Sequence, residues 1–389
     1  MRNTFLCTTA LVLASGVSAS AMDMGGKDVE AGSLSLGVGG YFEVLAGFAN
    51  VGGPTVVGQD LDGLDFKQDV EIHFSPTMTL DNGLTIGAHV ELEGSSGTPD
   101  TIDEAYMTLS GNFGKFILGS ENSVGYKMTV AAPDVTHINV NSGSTTAFIP
   151  FSGTAGTAGV SVGSDIFRGT LGTTYLENRR NNDAQRISYF SPDFSGFSFG
   201  VSYARDGAQD SNGQLDCNAI TCDFIDLAVA YSGSLGGGVD VALSGRWGTA
   251  SAPAGALDPE VWGVGANVSF GNITIGGSYA EQKDTGANAQ DGESYDFGIA
   301  FANGPWSYSL TYFHGENDDN ENYIAIGAAN PTEELDQILL GATYRFNSNF
   351  AMGGYIADVD FDEQVSDGGA GTGDDVDGTI VGISMRLDF

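Results

Sequence analysis

The sequence predicts an all-β fold, a closed antiparallel barrel of sixteen strands, and three observations carry that prediction. Segments in which apolar and polar residues alternate recur from residue 34 to the end. The connectors between them are alternately long and short. The alternation also persists to the last residue, where "TIVGISMRLDF" (379–389) ends on Phe389, whereas most domains end in a frayed polar tail.

The alternating segments are 34–49, 66–78, 83–94, 101–111, 113–120, 184–191, 196–205, 223–233, 238–248, 260–270, 272–282, 293–303, 305–315, 335–346, 349–359 and 376–389. A strand tilted near 45° crosses a bilayer in about 9–11 residues, which is the length of most of these. Between them, long stretches at 50–65, 95–100, 121–183, 206–222, 249–259, 283–292, 316–334 and 360–375 take turns with short ones such as "TLDN", "GN", "PDFS", "GSLGG", "GP" and "NSN". An antiparallel meander with one elaborate rim and one minimal rim gives this order, and a two-sheet sandwich does not require it. Short turns on one side and long loops on the other are the signature of a transmembrane β-barrel. An even number of strands returns the chain to the side on which it began.

Alternation also assigns faces. In "FKQDVEIHF" (66–74), Lys67, Asp69, Glu71 and His73 oppose Phe66, Val70, Ile72 and Phe74. In "TIGAHVELE" (85–93), His89, Glu91 and Glu93 oppose Ile86, Ala88, Val90 and Leu92. A closed barrel puts the charged set in a wet lumen and the apolar set in lipid, and closure removes the strand edges that hydrocarbon penalises. Aromatics near strand ends suit interfacial girdles: Tyr41 and Phe42, Tyr189 and Phe190, Phe194 and Phe197, Trp306 and Tyr308, Tyr344 and Phe346. The 58 glycines, roughly twice the usual share, serve turns and leave smooth faces where the wall meets other backbone or a neighbouring subunit.

Composition narrows the function. With 14 Lys and Arg against 50 Asp and Glu, the net charge of −36 disfavours a nucleic-acid partner, which needs a basic footprint. Residues 1–21 read as a signal peptide: Arg2, the apolar run "TFLCTTALVLASGVSA", then Ala19-Ser20-Ala21 as a small-residue cleavage site, leaving 22–389 as the mature barrel. Cys7 falls in that leader, and Cys217 and Cys222 in "DCNAITCD" are the expected disulfide of an exported chain, their four-residue spacing being poor for a metal site. There is no HExxH or phosphate-binding GxxxxGK[ST] sequence, and the two GxSxG matches, "GVSVG" (159–163) in a long connection and "GFSFG" (196–200) opening an alternating strand, lack the strand–turn–helix setting of a nucleophile elbow, so the chain is not expected to be an enzyme or to need a cofactor. The four histidines, His73, His89, His137 and His314, form no triad by sequence; His73 and His89 share a polar face beside Glu71 and Glu91, where lumen lining accounts for them better than a metal or catalytic pair.

The stretch "DEAYMTLSGNFGKFILG" (103–119), a long insert, and "QRISYFSPDFSGFSFGVSYARD" (185–206) together resemble the general diffusion porins of Gram-negative outer membranes, most nearly the alphaproteobacterial type. The terminal Phe389 on an alternating strand is similar too. The resemblance implies a sixteen-stranded outer-membrane barrel, a homotrimer, and passive passage of small hydrophilic solutes. It implies that Phe389 is the assembly signal read by the barrel assembly machinery. It also implies that the insert at 121–183 folds inward as a constriction loop after the fifth strand, with Glu121, Lys127, Asp134 and His137 at the narrowing. Trimer contacts would then lie near 34–49, 94–101 and 376–389.

In such porins acidic loop residues face basic wall residues. The wall here is expected to present Glu43, Lys67, Asp69, Glu71, His89, Glu91, Arg186, Arg205, Arg246 and Arg345 to the pore, with Arg179, Arg180 and Arg386 as further basic candidates. This basic set is sparse and the acidic one rich, so the lumen is expected to prefer cations. The acidic runs "GENDDNEN" (315–322), "ADVDFDE" (357–363) and "GTGDDVDG" (371–378) could hold Ca²⁺ weakly at external loops or bridge lipid headgroups through divalent ions, although they lack the twelve-residue calcium-loop pattern. Two alternatives stay open: a solute-specific outer-membrane channel, and a secreted, acidic, β-rich adhesin.

Overall fold

Each strand hydrogen-bonds to its neighbour in the chain and the last strand returns to the first. In the computed structural model, which describes residues 32–53, 60–94, 102–149, 166–209, 213–285, 290–318, 332–363 and 375–389, this order closes a sixteen-stranded antiparallel barrel. The strands are β1 (Ser35–Gly52), β2 (Gly63–Thr79), β3 (Thr85–Glu93), β4 (Ile102–Gly111), β5 (Gly114–Ser120), β6 (Ala184–Phe190), β7 (Phe197–Gln209) and β8 (Cys222–Gly236). They continue as β9 (Val239–Ser251), β10 (Glu260–Phe270), β11 (Ile273–Thr285), β12 (Gln290–Asn303), β13 (Trp306–Asp318), β14 (Thr332–Arg345), β15 (Phe350–Glu363) and β16 (Asp375–Asp388). The signal peptide expected at 1–21 lies outside the described residues.

All sixteen expected strands exist, and the differences sit at their ends. The expected long connection at 283–292 is mostly strand, because β11 runs to Thr285 and β12 begins at Gln290. The acidic run 357–363 is not a loop. It is the end of β15, where Val359 and Phe361 point inward and Asp358, Asp360 and Asp362 point outward. The runs at 315–322 and 371–378 are described only in part, and those parts belong to β13 and β16.

Closure depends on the chain end. Phe389 N–H donates to the Gly40 carbonyl and Gly40 N–H donates to the Phe389 carbonyl, both at 3.0 Å. Glu43 lies opposite Arg386, and Phe42 opposite Leu387. Leaving these groups unpaired in hydrocarbon would cost several kcal/mol. Two short turns start from glycine in the left-handed region, Gly271 and Gly304, both at φ 60°. The apolar residues Phe66, Phe74, Val229, Val264, Phe297, Leu340 and Val381 stand exposed at alternate positions on the outer face, as lipid contact requires.

Aromatic rings gather at the short-turn rim, where Phe116 lies 4.9 Å from Tyr189 and Trp306 lies 4.9 Å from Tyr344. At the other rim, the outward-facing Tyr203 and Tyr279 donate their hydroxyls to Asp223 (2.7 Å) and Glu293 (2.6 Å), keeping the ring apolar and the tip polar. Tyr41 departs from the girdle expectation. It has the parity of Glu43, so it faces the lumen and is buried there. Cys217 and Cys222 are joined as a disulfide, with Cα atoms 5.6 Å apart, at the start of β8.

The main buried apolar cluster is inside the barrel. Ile138, Val140, Phe148, Ile149, Ile166 and Leu171 of the long connection pack on Phe313, Leu335, Leu339, Phe361, Val376 and Ile380 of the inner wall. Fully burying each such side chain contributes about 1.5–3 kcal/mol. The inner face of β13–β16 is therefore partly apolar because it carries a folded loop, so the polar-inside expectation fails locally there.

Candidate pore constriction

The described parts of the connection after β5, residues 121–149 and 166–183, line the inside of the wall. The first limb begins with a single helical turn, α1 (Val124–Lys127), capped by Ser123, whose Oγ accepts from Tyr126 N–H at 3.1 Å. The chain then moves from strand to strand. Val130 N–H donates to Ser244 Oγ on β9 (2.8 Å), and Asn267 on β10 donates to the Ala131 carbonyl (3.0 Å). Ala132 N–H donates to Asp296 on β12 (2.9 Å) and Val135 N–H to Ser309 on β13 (3.1 Å). Gln337 on β14 donates to the Val140 carbonyl at 3.0 Å.

The returning limb takes a parallel set of partners. Ser294 donates to the Thr173 carbonyl (2.9 Å), and Thr174 and Ser278 hydroxyls meet at 2.6 Å. Asn141 stitches the limbs together by donating to Thr174 (2.8 Å) and Asp296 (2.6 Å) while accepting from Thr174 N–H (2.7 Å). Glycine makes this contact geometrically open. A Cβ on Gly265 would collide with the Val130 carbonyl, one on Gly341 with Thr136, and one on Gly315 with the Leu171 carbonyl.

Opposite the loop, the inner face of β1–β5 carries long polar side chains. The Tyr41 hydroxyl lies 2.8 Å from Asp69 and 2.5 Å from Glu71. His73 Nε2 lies 3.0 Å from Glu71 and 3.3 Å from Glu91, and His89 Nε2 lies 3.3 Å from Glu91. Glu104 accepts from Asn122 of the loop at 2.9 Å. Two of the cations nearby are already engaged. Arg386 contacts Glu43 (3.3 Å) and Asp388 (2.9 Å) and stacks 3.7 Å over Tyr41; Lys67 contacts Asp65 (2.5 Å) and lies 5.6 Å from the Phe148 ring centre.

Of the four expected constriction residues, Glu121 and Lys127 form a pair at 2.6 Å, with Glu121 fully buried behind the loop surface. Burial opposes charge on both groups. Their mutual attraction outweighs it, holding Glu121 below and Lys127 above its ordinary value. His137 Nδ1 sits 3.2 Å from Glu43, bringing the loop to the β1 wall. Burial pushes the Asp134 carboxyl up to about 6, against hydrogen bonds from Thr136 and Ser309 that favour its charged form.

The expected wall residues separate into three sets. Glu43, Lys67, Asp69, Glu71, His89 and Glu91 lie on the inner face of β1–β3, and Arg345 has inward parity near the short-turn end of β14. Arg186 and Arg246 also point inward but are buried beneath the loop and do not front the opening. Arg186 donates to the Asn181 carbonyl, and Arg246 donates to the Leu176 carbonyl and to Asp226 at 2.9 Å. Arg205 is a correction. It shares the outer face with Phe199, Val201 and Tyr203, about half exposed and 3.6 Å from Asp223, because strand parity turns it away from the lumen. Sequence reasoning did not single out Glu104, Asn141 or Asp296, the buried polar groups that fix the loop; strand parity turns Glu104 and Asp296 inward but does not show that a loop meets them, and Asn141 lies in the loop itself.

A family model described as Gram-negative porin matches residues 7–385. No curated protein matches the chain. Among solved structures, the anion-selective porin from Comamonas acidovorans is 20% identical with a TM-score of 0.55, over 92% of this chain and 100% of its own. The trimer form of in-vitro folded OmpT from Vibrio cholerae is 14% identical with a TM-score of 0.57, over 92% and 100%. The outer membrane channel DcaP of Acinetobacter baumannii is 12% identical with a TM-score of 0.57, over 94% and 99%. At these identities the structural likeness establishes the barrel fold alone.

Proposed function

The chain belongs to the Gram-negative porin family, as a multi-pass β-barrel diffusion channel of the outer membrane, and on that premise we propose that it passes small hydrophilic solutes and prefers cations. The observation that supports the preference is the composition of the β1–β5 wall facing the loop. Its exposed or half-buried carboxylates, with Asp65, Asp69 and Glu71 foremost, outnumber its lysines, Lys67 and Lys115, and Lys127 and Arg386 are tied to Glu121, Glu43 and Asp388. A net negative surface in a narrow passage with low-dielectric walls raises the local concentration of cations and lowers that of anions. The anion selectivity stated for the Comamonas porin does not bear on this chain, because at 20% identity the charges of one lumen are no guide to those of the other.

The family fold and the trimer form of the Vibrio relative support a homotrimer built on outer barrel surfaces in lipid. Recording in planar lipid tests the proposal. Ohmic openings in groups of three steps support a general trimeric channel, and small conductance that saturates with a particular solute supports a specific one. A salt-gradient potential of the sign for cation passage supports the preference, and the opposite sign rejects it.

A further inference from the structure

We propose that His73, His89 and Glu91 form a binding site for a borderline divalent transition-metal ion, Zn²⁺ being the reference case, with Glu71 as a fourth oxygen donor. The residues come from neighbouring strands, and their placement follows from register. His73 on β2 lies directly opposite Glu91 on β3, and His89 lies two residues before Glu91 on the same inner face. One ligand atom from each of the three lies within 4.8 Å of the others. Both histidine Nε2 atoms stand 3.3 Å from the same Glu91 oxygen. Tetrahedral coordination at bonds of about 2.0–2.2 Å places ligand atoms roughly 3.3–3.5 Å apart, so the two measured edges already have the length a bound ion needs.

The surroundings favour the same chemistry. Ser75 Oγ lies 3.0 Å from His89 Nδ1; accepting a proton bond there fixes the tautomer and turns the Nε2 lone pair toward Glu91. The His89 ring stacks on Tyr106, with centres 5.1 Å apart, which holds its plane. Glu71 and Glu91 both converge on His73 Nε2 in a largely enclosed place, so carboxylate oxygens from two strands and both imidazoles meet at one point where a dication can be held. Two imidazoles with carboxylate oxygen select Zn²⁺, Ni²⁺ or Cu²⁺ over the all-oxygen preference of Ca²⁺ and Mg²⁺.

The test is Zn²⁺ binding to the purified, chelator-stripped barrel in detergent, followed by calorimetry in millimolar Ca²⁺ so that carboxylate-only sites are occupied. One tight Zn²⁺ per chain is expected. His89→Gln and Glu91→Gln should each weaken it by at least the roughly 10–100-fold that loss of a mere outer-shell partner costs, because each removes a direct ligand. His314→Ala, on the outer face beside Asp336, should leave it unchanged. Binding is read without reference to transport, so its failure is distinct from failure of the channel proposal. A wild-type barrel that takes up no Zn²⁺ under these conditions overturns the site, as does tight binding that survives the His89→Gln, Glu91→Gln double variant.

Discussion

The inner faces of β1–β5 and of β9–β16 follow the same alternation and do opposite things. On β1–β5 the inward positions include Tyr41, Glu43, Asp69, Glu71, His89, Glu91 and Tyr106, long side chains that bond to one another, while Leu45, Gly47 and Ala49 further along β1 meet the loop. On β9–β16 the inward positions include Gly265, Gly315, Gly341 and Gly378 with short hydroxyl residues and apolar side chains, and the loop rests on them. The contrast shows that a porin wall is written for its inner neighbour. Where water is the neighbour the face is charged. Where a folded chain is the neighbour the face is small, hydrogen-bonding or apolar.

The largest effect should come from refilling the smooth side. Gly265→Val and Gly341→Val together put side chains where the Val130 carbonyl and Thr136 sit. The first loop limb should leave the wall while the barrel still closes, and single-channel conductance should change severalfold with heat-modifiable migration intact. Unchanged conductance would break the comparison.

Next comes the buried pair that fastens the returning limb. Arg246→Ala strands Asp226 in a closed environment, and breaking such a pair costs about 3–5 kcal/mol. Thermal melting of the detergent-solubilised barrel should fall clearly. Arg205→Ala, which removes an exposed ion pair on the outer face, should cost no more than about 0–1 kcal/mol in the same assay. Equal shifts for the two arginines would erase the distinction between inner anchor and outer surface charge.

On the charged side, Glu71→Gln combined with Asp69→Gln should reduce cation preference with little change in conductance, since neither carboxylate holds the loop. A gain in cation preference would contradict the proposed field.

The smallest effect concerns pH. The Asp134 carboxyl binds its proton more tightly in the fold, near 6, than at its ordinary value of 3.8. The native state therefore carries the extra proton between those values, and this group's contribution to stability is greatest below the ordinary value and declines as pH rises through about 6. Asp134→Asn should flatten that part of the melting profile relative to wild type; identical slopes would remove Asp134 from the account.

Much of this architecture was legible in the sequence. The sixteen alternating segments and the long-short connectors fixed the barrel, and the face of Phe66–Phe74 was readable because charged and apolar residues separate cleanly there. The inner face of β14 was less readable, because "QILLGA" is apolar on both sides: Ile338 and Leu340 meet lipid, while Leu339 meets the loop. Arg205 continues the outward parity of Phe199, Val201 and Tyr203, and its basic character alone does not place it in the lumen. The site residues Asp296 and Asn141 were not legible, since their role depends on a loop crossing the lumen from more than a hundred residues away, and a single sequence carries no sign of that approach.

The reversal potential of the purified channel in a KCl gradient, read for wild type and for Glu71→Gln with Asp69→Gln, tests the central claim most directly. The account predicts a potential of the sign set by K⁺ movement for wild type and a smaller one for the variant. A potential of the sign set by Cl⁻ movement in the wild type would contradict it.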